Sequence, residues 1–175
     1  KRAWILSAWQ VIVERYQMMG EPVSVSTWAT EFQGLYGIRN FCMQDAGKQN
    51  VAYANSVWVY MDMEKGRPVK PDEQEIALYG SEEPLEMEYA SRKIDLPKET
   101  IENTPFPVRK YHIDTNEHVN NCQYVQMALE VLKEPMEVRQ LRVEYKKSAV
   151  YGDVICPRTA YEEDRTVIEL CNEKG

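Results

Sequence analysis

The sequence predicts an α+β fold in which an antiparallel sheet curves around a central helix, with the unit built twice in tandem. Three observations carry this expectation. Long β-rich segments separated by short turns fill the first half of the chain. One segment with helical periodicity opens the second half. A weak internal repeat then relates the two halves. With 175 residues, 43% of them hydrophobic, the chain is large enough for one ordinary domain or two small fused ones.

Each element follows from its residues. Residues 3–15 are rich in β-branched and aromatic side chains and read as a long, mostly buried strand. Met19-Gly20-Glu21-Pro22 signals a turn. Val23 to Glu31 places Val23, Val25, Thr27 and Ala29 on one face, as a strand does. Residues 38–44 and 51–61 follow as strands, and the four in sequence suggest an antiparallel meander. Pro71 and the acids after it suit the first turn of a short helix. Residues 80–105 are acidic, contain three prolines, and read as a surface linker.

The second half opens with an expected strand at 106–112. The period then changes: Tyr124, Met127, Ala128, Val131 and Leu132 recur as one buried face of a helix over 120–132. Asn120 or Asn116 is placed to cap it. Leu141, Val143 and Tyr145 alternate with Arg142, Glu144 and Lys146, which predicts a strand with Glu144 facing solvent. Residues 154–162 and 165–171 read as further strands. The expected division is a first unit at 1–79, a linker at 80–105 and a second unit at 106–175.

The repeat has a constant offset of 132 residues, relating Gly20 to Gly152 and Thr27 to Thr159. Each copy is a strand, a gap, a Gly-acid turn and a strand ending at Thr plus an apolar residue. Applied to the ends, the offset predicts that the first copy lacks its opening strand and helix, and the second its last strand.

Composition excludes several functions. The formal net charge of −7 argues against nucleic acid as a partner. The longest apolar run, near Trp4 to Val13, is too short to span a membrane. Cys42, Cys122, Cys156 and Cys171 form no C-x-x-C pair and no zinc-spaced cluster, so reduced thiols in a cytoplasmic protein are expected. A calcium loop beginning at Asp114 fails at its sixth and twelfth positions, where Val119 and Val125 stand. His112 and His118 have no third ligand at metal-binding spacing. Neither metal nor cofactor is therefore expected.

The segment Asp114-Thr115-Asn116-Glu117-His118-Val119-Asn120-Asn121, with Tyr124 beyond it, resembles the D-x-N-x-H-V-N-N-x-x-Y signature of acyl-acyl-carrier-protein thioesterases. Trp58-Val59-Tyr60-Met61-Asp62, Gly66-Arg67-Pro68 and Val143-Glu144-Tyr145-Lys146-Lys147 are similar to bacterial members. The resemblance implies a double hotdog fold and hydrolysis of fatty acyl-acyl carrier protein. It also implies a first hotdog that holds the acyl chain, which some of Trp4, Trp9, Trp28 and Trp58 would line. Plant members carry Glu-Cys where this chain has Ser148-Ala149, so a mechanism needing either residue is closed to it.

The residues themselves suit this chemistry. Imidazole moves protons near neutral pH, which makes His118 the candidate base. Asp114 supplies a charge able to orient a neighbour. Asn116 can hold a water or the thioester oxygen. The amides of Val119, Asn120 and Asn121, at the helix start, suit a developing oxyanion. Ser148 is a possible water-holding hydroxyl. Cys122 reads as a packed or surface helix residue rather than a nucleophile. Arg109, Lys110, Lys146 and Lys147 are candidate contacts for an acyl carrier protein. A homodimer is possible. An acyl-CoA thioesterase and a non-catalytic acyl-binding module are the alternative functions.

Overall fold

The computed structural model describes residues 1–174. By its contacts the chain forms two compact units. The first comprises residues 1–94 and 138–145, and the second residues 95–137 and 146–174.

The first unit is built on the four expected long strands, β1 (Arg2–Val13), β2 (Val23–Gln33), β3 (Tyr36–Asp45) and β4 (Asn50–Asp62). The short strand β5 (Arg67–Pro68), not anticipated from sequence, pairs with the end of β4. The short helix α1 (Glu73–Ala77) begins where expected, with Asp72 accepting the Glu75 N–H at 2.8 Å. The strand order differs from a simple meander. β2, β3 and β4 are consecutive neighbours, but β1 lies beyond β4 and pairs with it rather than with β2. The cause is local. Past the end of β1, the Glu14 and Arg15 N–H groups still donate to Val51 O, so the chain stays on β4 before it turns towards β2.

The strand at 140–144 also belongs here, pairing with the free side of β1. The short β6 (Ile101–Glu102) and β7 (Phe106–Pro107) of the second unit precede it in the chain, so it is β8 (Gln140–Glu144). Directly paired residues share a sheet face, and the register therefore defines a row across five strands: Trp28, Asn40, Asn55, Gln10 and Arg142. Four of the five are polar, and Asn40, Asn55 and Gln10 are buried. The neighbouring row, on the opposite face, is Thr27, Phe41, Ala54, Val11 and Leu141.

Residues 82–94 explain the polar row, because this stretch is a strap laid along it. Trp28 donates its indole N–H to Glu83 O. Asn40 accepts from the Leu85 N–H and the Tyr89 hydroxyl. Gln10 donates to Glu88 O and accepts from Ala90 N–H. Arg142 donates to Ser91 O and Lys93 O. Glu144, expected in solvent, is half-buried and accepts from the Ile94 N–H, because the strap ends over it. Buried amide side chains thus satisfy a backbone that has no sheet partner of its own.

At one end of the opposite face Trp4 stacks on Tyr60 and Phe32, with its indole N–H on Glu75. Gly37 is what lets Trp4 lie there. A Cβ at this position would meet the Trp4 ring at 3.0 Å and Phe32 at 3.3 Å. Gly37→Ala is therefore expected to destabilise the protein by about 1–3 kcal/mol through overpacking, read as a lower urea midpoint.

The second unit holds β6, β7, the helix α2 (Asn121–Glu130), β9 (Val154–Tyr161) and β10 (Thr166–Cys171). The strand expected over 106–112 is only β7, followed by a single 3-10 turn at Lys110–His112. Pro107 has no N–H for a ladder, and the Arg109 N–H is diverted to the His112 ring, which closes the turn. Asn120, not Asn116, caps α2: its side chain accepts the Cys122 N–H at 2.9 Å. Met127 is buried with Val108, Val119 and Ile155, and Phe106, Ile113, Tyr124, Ala149 and Leu170 pack around them.

Candidate active site

The signature residues form a closed loop in the second unit. Ile113 and Val119 pair as an antiparallel bridge. Between them the Asp114 N–H donates to His118 O at 2.9 Å, and the Glu117 N–H to Asp114 O at 3.1 Å. Asp114 Oδ1 accepts the Asn116 N–H at 2.8 Å, an Asx-turn. Glu117 takes a left-handed conformation with φ 63°, the bulge that often follows a type I turn in a three-residue hairpin loop. A non-glycine residue held there is strained and persists only when its surroundings fix it.

This loop presents the Asn116 and His118 side chains to solvent, with Asp114 half-buried beneath. His118 Nδ1 lies 2.7 Å from Asn116 O. A carbonyl oxygen can only accept, so in this contact Nδ1 carries the hydrogen. Nε2 is then the ring's basic nitrogen. The contact to the His118 ring is thus made by the Asn116 backbone carbonyl, while Asp114 Oδ1 serves the Asx-turn.

Of the three helix-start amides expected to face an oxyanion, those of Val119 and Asn120 are already engaged. The Val119 N–H donates to Ala149 O, and the Asn120 N–H to His112 O, both at 2.9 Å. Neither is available to an oxyanion. The Cys122 N–H is capped by Asn120, and Cys122 itself is an exposed helix residue. Ser148 is exposed, and its neighbour Ala149 is bonded to the loop through Val119. The position that departs from the plant pattern thus adjoins the loop. Tyr124, quoted in the signature but not among the expected site residues, accepts the Ala149 N–H at 2.7 Å. Burial pushes its phenol up, while the Ala149 bond pulls the other way. The Tyr at the end of the pattern was the available signal. Among the described residues no cluster of three or more His, Cys, Asp or Glu could hold a metal ion.

His112 anchors the loop from behind. It is buried, its Nδ1 accepts the Arg109 N–H at 2.9 Å, and its carbonyl accepts from Asn120. Burial, and secondarily the Arg109 charge, hold its pKa below the usual 6.5. The unfolded chain therefore takes up a proton at a higher pH than the folded one. The contribution is complete above about pH 6.5 and is lost as the pH falls through the depressed folded value. Stability should accordingly decline from pH 7.5 to 5.5, and His112→Asn should flatten that part of the profile in urea unfolding.

The fold and loop define a hotdog-type protein with polar chemistry at the start of its helix. The family model for the acyl-ACP thioesterase N-terminal domain matches residues 1–79, and that for the C-terminal domain residues 95–173. The chain belongs to the acyl-ACP thioesterase family. A palmitoyl-acyl carrier protein thioesterase of Cuphea hookeriana chloroplasts is 32% identical over 91% of this chain, which spans 41% of that relative's length. An acyl-ACP thioesterase structure from Bacteroides thetaiotaomicron superimposes with a TM-score of 0.86 at 23% identity, covering 99% of this chain and 72% of that one. The 12:0-ACP thioesterase of Umbellularia californica gives 0.82 at 20% identity, covering 98% and 71%. No helix among the described residues is long and apolar enough to cross a membrane.

Proposed function

We propose that this chain carries the hydrolytic centre of a thioesterase that releases free fatty acid from fatty acyl-acyl carrier protein. The observation that supports this best is the exposed His118 imidazole, whose Nδ1–H is held by Asn116 O, which leaves Nε2 as the nitrogen to take a proton. In this reading Nε2 takes a proton from water, and the hydroxide adds to the thioester carbonyl carbon. The Asn116 side-chain amide donates to the oxyanion. Collapse breaks the C–S bond, and the imidazolium returns its proton to the departing thiolate. One water is consumed, and a carboxylic acid and a thiol are formed. Asp114 shapes the loop and keeps its charge beneath it, and Ser148 is the hydroxyl placed to hold the water.

Arg109, Lys110, Lys146 and Lys147 are all exposed in the same unit as the loop. An acidic carrier protein would need exposed cations such as these on a chain of net charge −7. The four free thiols fit a reducing, cytoplasmic compartment.

The test is release of free fatty acid and thiol from acyl-acyl carrier protein and, separately, from the acyl-CoA of equal chain length. The expected result is faster release from the carrier protein. Preference for the coenzyme A thioester would make the protein an acyl-CoA hydrolase. Tight acyl binding without release would make it a binding module.

A further inference from the structure

We propose that Tyr124 is a positioning residue for His118, acting through the Ala149 backbone; this rests on the hydrolytic reading above. The connection is continuous. The Ala149 N–H donates to the Tyr124 hydroxyl at 2.7 Å. The Ala149 carbonyl accepts the Val119 N–H at 2.9 Å. Val119 pairs with Ile113 to close the loop, and His118 is the residue before it. Tyr124, Ala149, Val119 and Ile113 belong to one packed apolar cluster, so the ring is held by packing while the hydroxyl sets the height of Ala149.

Two features make this more than a packing contact. Residues 145–150 have no regular secondary structure; in place of a ladder, Ala149 is held by its bonds to Tyr124 on one side and Val119 on the other. The loop it braces also contains the strained Glu117, a conformation that needs external support. Removing the hydroxyl leaves the Ala149 N–H without this acceptor and lets the 148–150 segment shift. The segment would carry Val119, and with it His118, away from the reacting position. Small displacements of a catalytic group cost rate rather than binding.

The experiment is Tyr124→Phe, which keeps the ring and removes the acceptor. Val119 amide exchange, followed by NMR, should accelerate at least about tenfold while that of Val167 on β10 is unchanged. Turnover should fall about 10- to 100-fold with KM within about twofold. In a His118→Ala background the same change should cost little more, since both act through one group. Unaltered Val119 exchange overturns the proposal, and so does faster exchange with wild-type turnover. If His118→Ala alone leaves turnover intact, the hydrolytic reading fails instead. Should Tyr124→Phe not fold, a fluorinated tyrosine at 124 keeps the ring and hydroxyl but weakens the acceptor. It should shift both readouts in the same direction, and no shift overturns the proposal.

Discussion

His118→Ala should lower thioester turnover by about 10²- to 10⁴-fold, the usual worth of a positioned general base. Protein stability should change little, because the imidazole is exposed. Asn116→Ala separates two roles of one residue. It removes the side-chain amide but leaves the carbonyl that fixes the His118 tautomer. A loss of about 10²- to 10³-fold in kcat is expected, as for one oxyanion donor. Asp114→Asn completes the set. Its Oδ1 can still accept the Asn116 N–H that shapes the loop, so most turnover should survive, whereas Asp114→Ala should lose it. Single-turnover rates with acyl-acyl carrier protein check all four variants. Retention of full activity by His118→Ala would remove the basis of the mechanism.

Asn40→Ala should be the most destabilising single change in the first unit. Asn40 is fully buried, donates to Asn55 Oδ1 at 3.1 Å, and accepts from Leu85 N–H at 2.9 Å and the Tyr89 hydroxyl at 3.2 Å. Its loss strands a buried amide carbonyl on Asn55 and a backbone N–H on Leu85. A buried group left unsatisfied costs about 1–3 kcal/mol, so a total near 3 kcal/mol is expected. That corresponds to a fall in Tm of roughly 6–12 °C for a chain of this size. Because Asn40 holds the middle of the strap, residues 82–94 should also become more sensitive to protease while the sheet persists. A melting curve and a timed digest measure the two effects. Equal protection of the strap in mutant and parent would mean that Gln10 and Arg142 suffice to hold it.

Several features were legible in the sequence for a physical reason. Strand and helix periods are local, so the long strands β1 to β4, helix α2 and the pair β9–β10 could be read from alternation and from the spacing of Tyr124, Met127 and Val131. The candidate site was legible because its loop is closed by short-range bonds from Asp114 to His118, which depend on residue type and spacing. The strand pairing was less so, since which strands become neighbours depends on where the chain travels after each turn. Nothing in residues 14–22 alone places β1 beside β4. The strap over Asn40 and Gln10 was hidden for the same reason, because its partners lie 45 to 80 residues away.

The segment from Asp114 to Asn121 marks the division. By itself the sequence pointed to a polar loop of Asp114, Asn116 and His118 with an asparagine cap at Asn116 or Asn120, because these follow from side-chain chemistry over a few residues. Only the tertiary structure decided what those groups are free to do. Val119 and Asn120 spend their amides on Ala149 and His112, and Tyr124 braces Ala149 from the helix. A backbone carbonyl, rather than a carboxylate, sets the His118 tautomer. Long-range backbone bonds leave no trace in residue type, so their consequences for the chemistry appear only once the chain is folded.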